Sequence, residues 1–144
     1  MKKLKELDCI LLVDDDEVTN YLSTILINKM EIDVHVEVAV NGMVALDYLT
    51  SAGKYKTNNS YPKPGLILLD INMPGMNGWE FLDAYNELDV SQKGKVVIAM
   101  LTSSNNTDDV DTALNKYNLP TYICKPLTLS KLGEVIYKYF PEED

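Results

Sequence analysis

Four apolar runs in this chain each stop at a polar residue suited to phosphate or to a metal ion. The run 9–13 ends at Asp14, with Asp15 and Asp16 behind it. The run 66–69 ends at Asp70, the run 96–101 at Thr102 and the run 121–124 at Lys125. Two or three carboxylates brought together repel each other, and a hard divalent cation relieves the repulsion. Mg²⁺ takes oxygen ligands and keeps several of its waters, so one or two protein carboxylates plus a phosphate suffice to hold it. A carboxylate can also attack phosphorus and become an aspartyl phosphate. A lysine ammonium and a hydroxyl can stabilise the oxygens of the transferring group. The set amounts to a nucleophile, a metal site and two electrophilic helpers.

That chemistry requires elements that bring the four points together, and the hydrophobic pattern supplies them. The runs 9–13, 66–69 and 96–101 are continuously apolar, as strands buried on both faces must be; 121–124 is a shorter strand opening on Thr121, and 34–40 alternates with period two. Between them lie segments of helical spacing. Val18, Leu22, Ile25, Leu26 and Met30 mark the first; Val44, Ala45, Tyr48 and Leu49 the second; Phe81, Leu82, Tyr85 and Leu88 the third. Val110, Ala113, Leu114 and Tyr117 mark the fourth, and Leu129, Leu132, Val135, Ile136, Tyr139 and Phe140 the fifth. Strand and helix alternate five times, which predicts an α/β fold with a parallel sheet covered by helices on both faces. Ligands of such sheets bind outside the carboxyl ends of the strands. Asp14, Asp15, Asp70, Thr102 and Lys125 therefore converge on one edge. Independent turn formers would not gather there. Asp16, by contrast, reads as the N-cap of the first helix.

The 144 residues suit one domain, 1–144, with a core over 8–140 and an extended, weakly ordered loop over 51–65. Hydrophobic residues make up 46% and charged residues 24%, which excludes disordered and collagen-like classes. The net charge of −9 argues against nucleic acid and against an anionic membrane surface. No apolar run is long enough to span a bilayer, and no signal peptide opens the chain, so a cytoplasmic location is expected. All 13 basic residues are lysine, so no arginine clamp is available. Cys9 and Cys124 lack metal-site spacing and read as buried thiols. His35 lies away from the polar edge and reads as a packing or surface residue, and Trp79 as core or rim.

Leu11-Leu-Val-Asp-Asp15, Leu69-Asp-Ile-Asn-Met-Pro-Gly75 with Asn77-Gly78, Leu101-Thr-Ser103 and Cys124-Lys-Pro126 together resemble the receiver domain of two-component response regulators, the CheY-like family. The resemblance covers nearly the whole chain, in the family's order and spacing. The long loop before the third strand and the residues around Asp70 resemble, more narrowly, the stand-alone receivers that accompany bacterial phytochrome-type histidine kinases. The resemblance implies that Asp70 accepts a phosphoryl group from a kinase histidine. It implies that Asp14, Asp15, Asp70 and the main-chain carbonyl of Asn72 form the Mg²⁺ site, with Asp15 a direct ligand and Asp14 acting mainly through water. Lys125 would pair with the phosphate, Thr102 would be the switch hydroxyl, and Tyr122 the aromatic ring that turns inward as Thr102 moves. The Lys125–Pro126 bond resembles the family's cis peptide.

The expectation is thus a doubly wound, flavodoxin/CheY-like sandwich whose five-stranded parallel sheet has the order 2-1-3-4-5. The expected function is a single-domain response regulator, phosphorylated on Asp70 by a sensor histidine kinase or phosphotransfer protein in a Mg²⁺-dependent reaction. It would switch a protein-interaction surface formed by the fourth helix, last strand and fifth helix, where a homodimer could form. It would be no enzyme beyond its own phosphorylation and dephosphorylation. One alternative is a haloacid-dehalogenase-type phosphatase opening on Asp14-x-Asp16, which leaves Asp70 unexplained and lacks that family's later acidic motif. A degenerate receiver used as a scaffold is the other, and the intact polar set argues against it.

Overall fold

The computed structural model describes residues 1–56, 61–93, 96–102 and 106–143. Its strands are β1 (Cys9–Val13), β2 (His35–Ala39), β3 (Leu66–Asp70), β4 (Val97–Thr102) and β5 (Thr121–Cys124). They form one sheet in the order β2-β1-β3-β4-β5, every pairing parallel. The helices that cover the sheet are α1 (Glu17–Lys29), α2 (Gly42–Thr50), α3 (Gly78–Asn86), α4 (Thr107–Asp111) and α5 (Leu129–Tyr139), and a further single helical turn, Val90–Lys93, precedes β4. α4 continues as a π-helical turn, Thr112–Lys116. The doubly wound order read from the sequence is the one observed.

Alternate residues of the central strands feed two cores. Cys9, Leu11, Val13, Ile67 and Leu69 pack with Ala45, Leu49, Phe81 and Leu82 of α2 and α3. Ile10, Leu12, Leu66 and Leu68 pack with Ile27 of α1 and with Leu132, Ile136 and Phe140 of α5 and its end. Burial on both faces explains why β1 and β3 are apolar without alternation. Leu4 and Leu7, ahead of the 8–140 core, are also buried. The chain start is held by bridges from Lys2 to Ile32 and from Leu4 to Glu142.

Four expectations need correction. α1 does not bury the stripe of Val18 and Leu22, which are 66% and 55% exposed; Asn20, Ser23 and Ile27 face inward instead. The Asn20 amide donates to the carbonyl of Asp14 at 2.8 Å, and satisfying that buried group sets the phase of the helix. In α5, Leu129 is likewise exposed. The loop 51–65 is anchored where it is described. A 3₁₀ turn, Gly53–Tyr55, buries Tyr55 completely, and its ring meets those of Tyr48 and Tyr61 edge to face, each at 4.9 Å. Aromatic residues in a polar segment supplied an apolar payload that its composition hid. Residues 57–60 of that loop, and Ser103 of the Leu101-Thr-Ser103 motif, lie outside the described residues. Finally, Cys9 is buried but Cys124 only partly so.

Candidate functional site

The carboxyl ends of β1, β3, β4 and β5 place Asp14, Asp70, Thr102 and Lys125 along one edge of the sheet. β1 stops where Asp14 donates its amide to Ala39 of β2 at 3.1 Å. Asp16 then caps α1, accepting from the Val18 amide at 3.1 Å and the Thr19 hydroxyl at 2.7 Å. The turn this makes leaves Asp14 4% exposed and Asp15 in solvent. Carboxylate oxygens of Asp14, Asp15 and Asp70 all lie within 4.8 Å of one another.

The three carboxylates are not equivalent. One oxygen of Asp14 accepts from the Asp16 amide at 2.9 Å; the other, Oδ2, is buried and has no hydrogen-bond partner. Burial pushes the Asp14 carboxyl above its ordinary pKa, and the charges of Asp70 and Asp15 push the same way. Asp70, 6% exposed, accepts from Lys125 Nζ at 2.7 Å. A buried carboxylate oxygen with nothing to bind, beside two more carboxylates, has the donor set and the unmet charge that a hard cation satisfies.

Lys125 reaches Asp70 from a backbone fixed by its own amide, which donates to the carbonyl of Thr102 at 2.7 Å, and it is followed by the cis bond to Pro126. Thr102 is buried, with its hydroxyl 3.9 Å from the Cys124 sulfur. Tyr122, two residues earlier on β5, is 37% exposed. Asn72 is exposed, two residues past the end of β3. The structure therefore brings Asp14, Asp15, Asp70 and Lys125 into one cluster. Thr102 stands on the neighbouring strand, one position beyond Leu101, the register partner of Asp70, and Tyr122 makes no hydrogen bond to the cluster among the described residues.

Two contributors were not read from the sequence as parts of the site. Asn20 ties α1 to the end of β1 through Asp14. Gly78 lets α3 start directly against β3: a Cβ there would lie 2.6 Å from the Asp70 carbonyl oxygen and 2.9 Å from the Ile71 Cα. Its amide donates to Ile71 at 2.8 Å, folding the intervening loop back over the site. The Asn77-Gly78 pair was a visible signal; Asn20, a polar residue inside an apparently amphipathic helix, was not.

Comparison with known proteins agrees with this geometry. The family model described as the response regulator receiver domain matches residues 10–137. Response regulator Rcp1 of Synechocystis sp. is 31% identical over 88% of this chain and 82% of its own. Its Mn²⁺-bound crystal structure superposes with a TM-score of 0.71, at 29% identity over 92% of this chain and 93% of that one. The bacteriophytochrome response regulator AtBRR gives a TM-score of 0.78 at 28% identity, covering 92% of each chain. The phosphorylated cyanobacterial phytochrome response regulator RcpA gives 0.74 at 26% identity, over 94% of this chain and 99% of that one. The dehalogenase-type alternative loses its footing, since Asp16, which it needs as a catalytic partner of Asp14, is spent as a helix cap. By its sequence, its sheet order and the acidic edge that order creates, the chain belongs to the response regulator receiver domain family.

Proposed function

We propose that this receiver is a phosphorylation-controlled switch whose acceptor is Asp70, fed by a sensor histidine kinase or a phosphotransfer protein. The observation that carries the reading is the pairing of Asp70 with Lys125 at 2.7 Å beside the carboxylates of Asp14 and Asp15. A carboxylate oxygen of Asp70 attacks phosphorus, the bond from phosphorus to the donor nitrogen breaks, and the freed imidazole takes up a proton. Lys125 follows the charge onto the phosphoryl oxygens. Asp14, Asp15, Asp70 and the Asn72 carbonyl would hold Mg²⁺, which supplies charge neutralisation for the transferring group. That Rcp1 has been crystallised with Mn²⁺ and RcpA in phosphorylated form supports both parts of the reading. The chain would catalyse only its own phosphorylation and dephosphorylation.

The switch in this reading is Thr102 with Tyr122. The hydroxyl of Thr102 moves onto a phosphoryl oxygen, and the ring of Tyr122, about a third exposed before the switch, turns into the space left behind. The face of α4, β5 and α5 changes with it and binds a partner or a second copy. The exposed apolar side chains Val18, Tyr21 and Leu22 of α1 stand beside the site and offer the donor a place to dock.

Incubation with acetyl phosphate and Mg²⁺ tests the proposal. It predicts one acid-stable, base-labile acyl phosphate per chain, absent without the metal; no adduct would refute it. Thr102→Ala should still take up the phosphate mimic beryllofluoride, but NMR shift changes at Tyr122 should shrink strongly. Wild-type shifts at Tyr122 in that variant would remove Thr102 from the mechanism.

A further inference from the structure

Lys131 stands in the first turn of α5, three residues after the N-cap Thr128, whose hydroxyl accepts from the Lys131 amide at 3.2 Å. A cation is out of place there. The first turn of a helix carries the positive end of the macrodipole and favours acids. The side chain turns back toward the end of β5, where Nζ donates to the carbonyl of Cys124 at 2.9 Å and to that of Pro126 at 3.2 Å. These carbonyls belong to the residues immediately before and after Lys125.

The topology explains why those carbonyls need a donor. β5 is an edge strand, paired on one side only, with β4. The Lys125 amide points toward β4 and is taken by Thr102. The carbonyl of the same trans peptide, that of Cys124, must then point outward, where no strand can meet it. The Lys131 ammonium takes that place. The peptide that carries Lys125 is held from one side by the switch residue Thr102 and from the other by Lys131.

We propose, building on the phosphoacceptor reading above, that Lys131 is a positioning residue for Lys125. Its ammonium fixes the backbone on both sides of Lys125, so that the Lys125 side chain is aimed at the phosphoryl oxygens before they arrive. Pre-orientation of this kind acts on the transition state rather than on ground-state binding.

The test is the rate of Mg²⁺-dependent phosphorylation by acetyl phosphate in the full chain, in Lys131→Met and in Lys131→Arg, followed across acetyl phosphate concentrations. Lys131→Met keeps the aliphatic stem; it removes an unfavourable first-turn charge and, with it, two hydrogen bonds to carbonyls that lie at or near the surface, so the two effects oppose and its melting temperature should stay close to that of the wild type. Its rate at saturating acetyl phosphate should fall about tenfold with the half-saturating concentration unchanged. Lys131→Arg, which keeps the charged donor, should restore most of the rate. A wild-type rate in Lys131→Met would overturn the assignment. So would a rate loss that follows a lowered melting temperature, or one that arginine does not rescue. If the wild type itself takes up no phosphoryl group, the phosphoacceptor reading fails, and that outcome is distinct from a wild type that reacts and a Lys131→Met that matches it.

Discussion

The two ends of the sheet are built from the same strands and solve opposite problems. At the amino end, Cys9 is fully buried and its sulfur lies 3.6 Å from the Tyr48 hydroxyl. That hydroxyl donates to the Pro62 carbonyl at 2.5 Å, and the rings of Tyr48, Tyr55 and Tyr61 seal the opening. Burial pushes the Cys9 thiol up to about 11 and raises the Tyr48 hydroxyl as well, so both stay neutral and apolar contact is undisturbed. At the carboxyl end, three carboxylates share a small space and one buried oxygen has no partner. The first end stabilises the fold. The second holds charge at some cost, and a ligand that satisfies the charge gains binding energy from the relief.

The contrast can be broken most severely at the amino end. Tyr55→Ala removes a fully buried ring from a three-ring cluster and should cost about 3 kcal/mol in urea unfolding, while phosphorylation by acetyl phosphate persists in the folded fraction. A loss of phosphorylation out of proportion to the stability change would mean that the two ends are not separable. At the carboxyl end the sign should reverse. Asp14→Asn, which removes a buried charge, should stabilise the metal-free protein by about 1 kcal/mol. Mg²⁺ should raise the melting temperature of the wild type and leave that of the variant nearly unchanged. A destabilised Asp14→Asn would show that the carboxylate is a structural asset.

The pH dependence sharpens the same point. The pKa of Asp14 is raised by folding, so the native state binds its proton more tightly than the unfolded chain does. Its contribution should therefore stabilise the metal-free protein as pH falls through the raised value toward the ordinary 3.8, and Asp14→Asn should abolish that gain. Asp16 works against it: the Thr19 hydroxyl and the Val18 amide lower its pKa, so its cap is lost as pH drops below 3.8. Chemical denaturation at stepped pH on both proteins separates the two. The smallest effect concerns the thiols. Cys124, partly exposed, should be alkylated in the native protein, and Cys9 only on unfolding.

The carboxyl end was legible in the sequence because the buried strands β1, β3 and β4 are apolar runs, as is the short stretch 122–124 of β5, and the first polar residue after each marks where the sheet stops. Asp14, Asp70, Thr102 and Lys125 were found that way, and Asp16 was recognised as a cap. The amino end was not legible. Tyr55 and Tyr61 sit among Ser, Gly, Lys and Asn, without periodicity, and their burial depends on Tyr48 and Pro62 from neighbouring segments. The inward face of α1 was misread because Asn20 is buried for a hydrogen bond, which hydrophobic spacing cannot signal. Lys131 was invisible for a similar reason: its partners are backbone carbonyls of an edge strand.

The central claim is that Asp70 is the group that receives phosphate. Mass spectrometry of the wild type and of Asp70→Asn after incubation with acetyl phosphate and Mg²⁺, with peptide mapping, tests it directly. Asp70→Asn keeps the shape of the side chain and removes the nucleophile. The account predicts one phosphoryl group on the wild type, in the peptide that contains Asp70, and none on a fully folded variant; an adduct that survives in Asp70→Asn, or that maps to another residue of the wild type, would contradict it.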